Sequence, residues 1–181
     1  MVDAGVCFGD TAVCFSKCAG PDGAVYGFDP LGTHLEIARH NVAQNDFATN
    51  VRFYPYGLGA QDSPGAPDLG AVDPGHCVSD TTAIRTIDSM VADGSIPRVD
   101  FIKMDIEGYE GAALEGARQV IAKFKPKLAI SIYHKPEDYF EIMEKIIDIN
   151  DDYDFYMENY TICDGETILY GIDRSRNAAP R

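Results

Sequence analysis

Short β-branched runs alternate with longer stretches of helical period along this chain, and that alternation confines it to βαβ units around a parallel sheet. A strand stub ends at Ala4, a glycine-containing turn runs through Gly9, and a helix is expected over Thr11 to Ala19. Gly20, Pro21, Asp22 and Gly23 stop that helix, because neither glycine nor proline extends one cheaply. Ala24 to Phe28 reads as the second strand, and Leu35, Ile37, Ala38 and Val42 mark one side of the next helix. Val51 to Tyr54 is the third strand. Val99 to Ile106 is the strongest central strand, followed by one helix over Tyr109 to Phe124. Lys127 to Tyr133 and Tyr139 to Ile149 supply a further strand and helix, and Tyr153 to Tyr156 with Thr167 to Ile172 close the sheet as an antiparallel pair. Thr86 to Val91 should form a short helix. Between Ala60 and Asp80 prolines and glycines crowd a stretch too long for an ordinary connection, which predicts a lid or irregular flap. Only Met1 and Val2 precede Asp3, less than a buried parallel strand normally supplies, so either the gene is short here or an upstream cap segment is missing.

At 181 residues, 45% of them hydrophobic, the chain suits one domain with one core. A formal net charge of -14 argues against a nucleic-acid-binding surface, because phosphate contacts need clustered lysines and arginines, so nucleic acid is not an expected partner. The same acidity repels an anionic membrane, and no apolar run is long enough to span one. Five cysteines without CxxC spacing point to reduced thiols and a cytoplasmic location. Cys14 and Cys18, four apart on one helix face, are assigned to packing.

Chemistry concentrates where strands end. Asp3 to Thr11 places Gly5 and Gly9 between a strand and a helix, where the backbone can approach a ligand closely. The spacing is not GxGxxG, and Asp3 and Asp10 would repel a pyrophosphate while attracting a sulfonium or ammonium ion. A purely structural turn fits the same residues. Asp29 ends the second strand, where an acidic side chain can accept both hydrogen bonds of a ribose diol; an Asp-Pro turn or helix cap is the plainer reading. Alternation sets Lys103 and Asp105 on one side of the central strand, and a buried Lys103 needs a carboxylate partner. Glu107 and Glu110 follow, and either serves as negative charge at a helix amino end.

The order of these segments resembles the FkbM-type methyltransferases. The likeness lies in DAGVCFGDT at 3 to 11, YGFDP at 26 to 30, Asn41, VRFYPYGLG at 51 to 59, TIDSM at 86 to 90, FIKMDIEGYE at 101 to 110, LEGA at 114 to 117 and KPKLAISIYH at 125 to 134. It implies an α/β fold of the Rossmann-like, class I methyltransferase type, mostly parallel with a C-terminal antiparallel pair, and S-adenosyl-L-methionine as cofactor. It further implies O-methylation of a small hydroxylated acceptor such as a sugar or other metabolite. By the same resemblance Asp3, Gly5 and Gly9 line the methionine portion, Asp29 the ribose, and Gly57, Leu58 and Gly59 the adenine, with Asp105 near the transferred methyl. Asp29 stands where the family more often has glutamate, and Val6 and Cys7 where it tends to have a small residue and asparagine.

An alcohol acceptor must lose a proton, and Asp105, Glu107 or His134 is the expected acceptor, with Lys103 orienting a carboxylate or lowering the alcohol's pKa. His134 could equally be a structural residue. Asp105, Glu107 and His134 have the chemistry to surround a divalent ion, but spacing alone does not bring them together, and no metal is assigned. Two rivals remain: a non-catalytic cofactor-binding module of the same fold, and a nicotinamide-dependent oxidoreductase, which the absent GxGxxG disfavours. Exposed strand edges are compatible with a homodimer.

Overall fold

The computed structural model describes residues 1–65, 83–162 and 165–176. Strands β1 (Val2–Ala4), β2 (Val25–Phe28) and β3 (Val51–Tyr54) alternate with helices α1 (Asp10–Ala19) and α2 (Gly32–Ala43). A small ladder follows, formed by β4 (Gly57–Leu58) and β5 (Ile84–Arg85), and then helix α3 (Ile87–Ala92). Next come β6 (Phe101–Met104), α4 (Glu110–Glu115), α5 (Arg118–Phe124), β7 (Lys127–Ser131), α6 (Asp138–Ile149), β8 (Tyr153–Asn159) and β9 (Thr167–Asp173).

The seven-stranded sheet has the order β3-β2-β1-β6-β7-β9-β8, with β9 alone running against its neighbours. Strand order reverses between β1 and β6, so the carboxyl ends of those two strands open a crevice where ligands bind in sheets of this kind. Register then fixes the chemistry. Asp3 pairs with Gly27 on one side and Lys103 on the other, putting all three on one face. Val2, Ala4, Ile102, Met104, Leu128 and Ile130 take the opposite face and form the main core with Ile87, Leu114, Ile121, Ile142 and Ile146. Each such side chain contributes about 1.5 to 3 kcal/mol on full burial. On the other face α1 and α2 cover a smaller cluster of Ala12, Val25, Val42 and Ala48.

Most expected elements form, with shifted ends. The central strand is trimmed to Phe101–Met104, and Thr86 caps α3, its Oγ1 accepting the Ser89 N–H at 2.9 Å. The helix expected over Tyr109 to Phe124 is two helices. A Cβ on Gly116 would lie 2.0 Å from the Gly59 carbonyl oxygen, so the chain bends there, and the Asp88 carboxylate restarts the helix by accepting N–H groups of Gln119 and Val120 at 3.0 and 2.9 Å. Ile37 is 44% exposed and does not share the buried side of α2 with Leu35, Ala38 and Val42. Cys14 and Cys18 are exposed thiols and not packing residues. Of the expected flap, Ala60 to Gly65 is anchored through an antiparallel bridge between Ser63 and Ile84; the remainder lies outside the described residues, as do Cys77 and Cys163. Among the described residues, no helix is long and apolar enough to cross a membrane.

Candidate active site

A cavity of about 230 Å3 occupies the crevice. Ala4, Gly5 and Cys7 from the end of β1, Phe28 and Asp29 from the end of β2, and Asp105 and Glu107 beyond β6 supply its polar rim and floor. Tyr56, Leu58, Ile84 and Ile106 give it an apolar wall. Gly5 is dictated by close approach: it has φ +76, and a Cβ there would sit 1.8 Å from the Asp105 carbonyl oxygen. The turn continues through Cys7, whose φ of 50° is in the left-handed region where asparagine is better tolerated.

Asp29 holds this turn. Its Oδ2 accepts the Cys7 N–H at 3.0 Å and faces His34 Nδ1 at 3.2 Å, while Oδ1 accepts the Leu31 N–H at 2.9 Å. A carboxylate offers about four acceptor positions. Three are therefore engaged within the protein, which leaves about one, fewer than the two a diol needs, while His34 stays in place.

Asp3 lies elsewhere than expected. It is fully buried beneath the turn and lines no part of the cavity. Thr11 Oγ1 donates to its Oδ2 at 2.8 Å and Lys103 Nζ stands 3.4 Å from its Oδ1. Burial pushes the Asp3 carboxyl above its ordinary range against the pull of Lys103. Lys103 finds its expected carboxylate in Asp3; its ammonium also donates to the Gly5 and Ala4 carbonyls at 2.7 and 3.2 Å. The pair thus braces the turn from below. Gly9 also sits outside the cavity, where a Cβ would meet Ala38 at 2.9 Å, so it serves the contact between α1 and α2. Gly57 and Leu58 line the cavity; Gly59 does not.

The far end of the crevice gathers acidic groups around one imidazole. His134 Nε2 is 3.5 Å from both Asp105 Oδ1 and Glu107 Oε2, and its Nδ1 is 3.1 Å from Glu110 Oε1. Asp105, Glu110 and His134 offer ligand atoms that all lie within 4.8 Å of one another. Burial works to lower the His134 pKa, but Glu110, Asp105 and Glu107 outweigh it and leave it raised. Glu107 has φ 57° and precedes Gly108 at φ 88°, a tight backbone that turns its half-exposed carboxylate back toward the cavity. Glu110 is wholly buried, and its Oε1 accepts the Ile106 N–H at 2.7 Å. Tyr133 donates its hydroxyl to Asp105 Oδ1 at 3.0 Å, and burial beside that carboxylate raises its pKa.

A second cavity, of about 430 Å3, opens on the other side of the turn. It shares Gly5, Cys7 and Asp105 with the first and adds Asp10, Thr11, Lys103, Ser131, Glu166 and Tyr170. Asp10 thus faces this space and not the first cavity.

Over residues 3–161 the chain matches the model of the methyltransferase FkbM domain. It belongs to the FkbM methyltransferase domain family. Among solved structures, this FkbM domain is similar to the methyltransferase FkbM from Methylobacillus flagellatus KT, with 28% identity and a TM-score of 0.76 over 94% of the present chain. The match spans 42% of that longer protein. A putative rRNA methylase from Clostridium thermocellum has a TM-score of 0.61 at 13% identity, covering 95% of this chain and 84% of its own. Aeropyrum pernix fibrillarin, solved with natively bound S-adenosyl-L-methionine, has a TM-score of 0.59 at 12% identity, covering 94% and 65%. At such identities these two share the class I methyltransferase sheet and nothing finer. No curated protein matches the chain.

The structure of the FkbM domain thus brings Asp105, Glu107 and His134 together, and separates Asp3, Gly9, Asp10 and Gly59 from the cavity that holds Asp29. Tyr133, His34, Thr11 and Tyr56 are among the site residues to which the sequence assigns no role. Only Tyr133 carried a signal, as the neighbour of His134. Glu110, read as a helix amino-end charge, does begin α4, but its carboxylate faces His134.

Proposed function

We propose that the FkbM domain binds S-adenosyl-L-methionine in the 230 Å3 cavity and transfers its methyl group to a hydroxyl of a small metabolite or sugar seated in the larger cavity. One observation carries this reading: among the described residues the two cavities share Gly5, Cys7 and Asp105 alone, so a cofactor in one and an acceptor in the other meet at Asp105. The residues suit the cofactor. The apolar wall of Tyr56, Leu58 and Ile84 accommodates an adenine, and Asp29 faces the ribose once His34 yields its place. Gly5 leaves the turn without a side chain where the sulfonium end must pass.

When bound, the cofactor supplies an electrophilic methyl carbon on a positively charged sulfur. Its methyl would pass to the acceptor oxygen, with S-adenosylhomocysteine as the product. The protein's task is to align the acceptor and take its proton. Asp105 is placed for both: Tyr133 fixes one oxygen, and Glu107 and His134 stand beside it. Lys103 acts by holding Asp3 and the glycine turn. The same reading keeps the protein in the cytoplasm, with Cys7, Cys14 and Cys18 as free thiols, and is compatible with a homodimer.

Calorimetry with S-adenosyl-L-methionine and S-adenosylhomocysteine, followed by a methyl-release assay against hydroxylated metabolites, tests the proposal. Binding with turnover supports it; binding without turnover on any acceptor favours a non-catalytic module; no binding of either ligand ends it.

A further inference from the structure

The imidazole of His134 presents an electrostatic problem. Its side chain is 9% exposed, and neither ring nitrogen makes a hydrogen bond of good geometry. Carboxylates face both sides of the ring, Glu110 at Nδ1 and Asp105 with Glu107 at Nε2. Glu110 Oε2 is itself sealed and without a partner, and so is Oδ2 of Asp138, whose carboxyl burial and Glu110 push up. The ammonium of the adjacent Lys135 is bonded to the Gly108 carbonyl. Negative charge is in clear excess. A ring carrying its proton on Nδ1, toward Glu110, turns a bare lone pair at Nε2 toward two more carboxylates, an arrangement that a cation between them satisfies.

We propose that His134 Nε2, Asp105 and Glu107 bind a divalent metal ion at the rim of the cavity, with Glu110 behind the ring fixing its tautomer. The distances fit. Two ligand atoms each about 2.1 Å from a metal ion, at about the tetrahedral angle, are about 3.4 Å apart, and Nε2 is 3.5 Å from each carboxylate oxygen. One imidazole and two carboxylates suit Mn2+, Fe2+ or Zn2+. A buried carboxylate on the far nitrogen of a ligating histidine is the usual support that orients the ring and strengthens its donor atom, and Glu110 occupies that place, anchored by the Ile106 N–H. Asp105 lines both cavities, so an ion held by its carboxylate stands where a bound acceptor in the larger cavity can reach it. A hydroxyl coordinated there loses its proton more readily. This role deepens, and rests on, the methyl transfer proposed above; the binding of the ion does not.

The test is a titration of the full chain with Mn2+ followed by electron paramagnetic resonance, in which free Mn2+ is counted directly. The wild type is expected to take up one Mn2+ per chain with an affinity that falls more than tenfold in Glu107→Gln and in His134→Asn. Glu107 is half exposed, so its variant folds even if the histidine variant does not. No uptake by the wild type, with or without S-adenosylhomocysteine, overturns the site and leaves a proton on His134 as the positive charge. Uptake that both variants retain also overturns it, by placing the ion on the acidic surface instead. Mn2+ uptake lost in the variants, from a protein that binds no S-adenosylhomocysteine in calorimetry, sinks the cofactor reading and leaves the metal site standing.

Discussion

Replacing Asp29 with alanine separates the two jobs that its carboxylate does. In the free protein it accepts the Cys7 and Leu31 N–H groups at 3.0 and 2.9 Å and faces His34. The side chain is 7% exposed, so a ribose bond to it forms largely out of water. One or two charge-assisted bonds to the diol, at about 1.5 to 3 kcal/mol each and discounted for the displaced His34 contact, give a loss of about 2 to 4 kcal/mol. That is a weakening of about 30-fold to 900-fold in S-adenosylhomocysteine affinity by calorimetry. Alanine also strands two backbone N–H groups, so the apo protein should lose about 1 to 3 kcal/mol in a urea melt. Asp29→Asn keeps one carbonyl acceptor without the charge and should fall between the two. If Asp29→Ala folds and binds within about threefold of wild type, no significant ribose bond is made there, and the cavity's assignment fails with it.

Asp105→Ala should behave in the opposite way, leaving S-adenosylhomocysteine affinity within about threefold of wild type while methyl release falls by about 100-fold or more, as expected of a group that takes or directs the acceptor's proton; equal losses in both assays would place Asp105 on the cofactor. Gly116→Ala forces a Cβ to 2.0 Å from the Gly59 carbonyl and should cost about 2 to 4 kcal/mol in denaturant stability, with an unchanged midpoint contradicting that contact. Asp173 should shape the acid limb of stability. Burial opposes its charge, but hydrogen bonds from Ser175, Asn150 and Lys125 overcome this and hold its pKa at about 2, against 3.8 when free. A depressed folded-state pKa means the stabilisation is present above pH 4 and fades as pH falls toward 2, an effect of about 2 kcal/mol. Asp173→Asn should remove that extra acid sensitivity between pH 4 and 2, seen as a flatter dependence of the melting temperature; an identical profile would show that Asp173 is not responsible.

Periodicity made the sheet legible because each parallel strand carries its own apolar run and each helix its own stripe. What it missed was set by contacts distant in sequence. Nothing near Gly116 reveals that the Gly59 carbonyl will press on it, or that Asp88 will supply the carboxylate that starts α5, so Tyr109 to Phe124 reads as one helix. Ile37 misleads for a related reason: α2 buries Leu35, Ala38 and Val42, and only one flank of that stripe meets the sheet. In each case the local pattern is correct and a remote partner decides the outcome.

The same distinction explains the site. Asp29, Asp105, Glu107 and His134 come to the crevice because each follows β2, β6 or β7, strands whose place local pattern reveals even where their ends shift. Asp3 was misplaced because its residue type suggests attraction for a cation while its register places it beside Lys103, whose ammonium answers the charge and ties both residues to the turn. Glu110 was undervalued because a glutamate opening a helix already has a sufficient explanation in the helix dipole. Only the position of His134, carried in by a separate strand, shows a second use for that carboxylate, and it is the pair that concentrates charge at Asp105. A carboxylate held out of water costs stability unless something compensates it, so the burial of Glu110 beside Asp105, Glu107 and Asp138 argues for a site built to hold a positive charge.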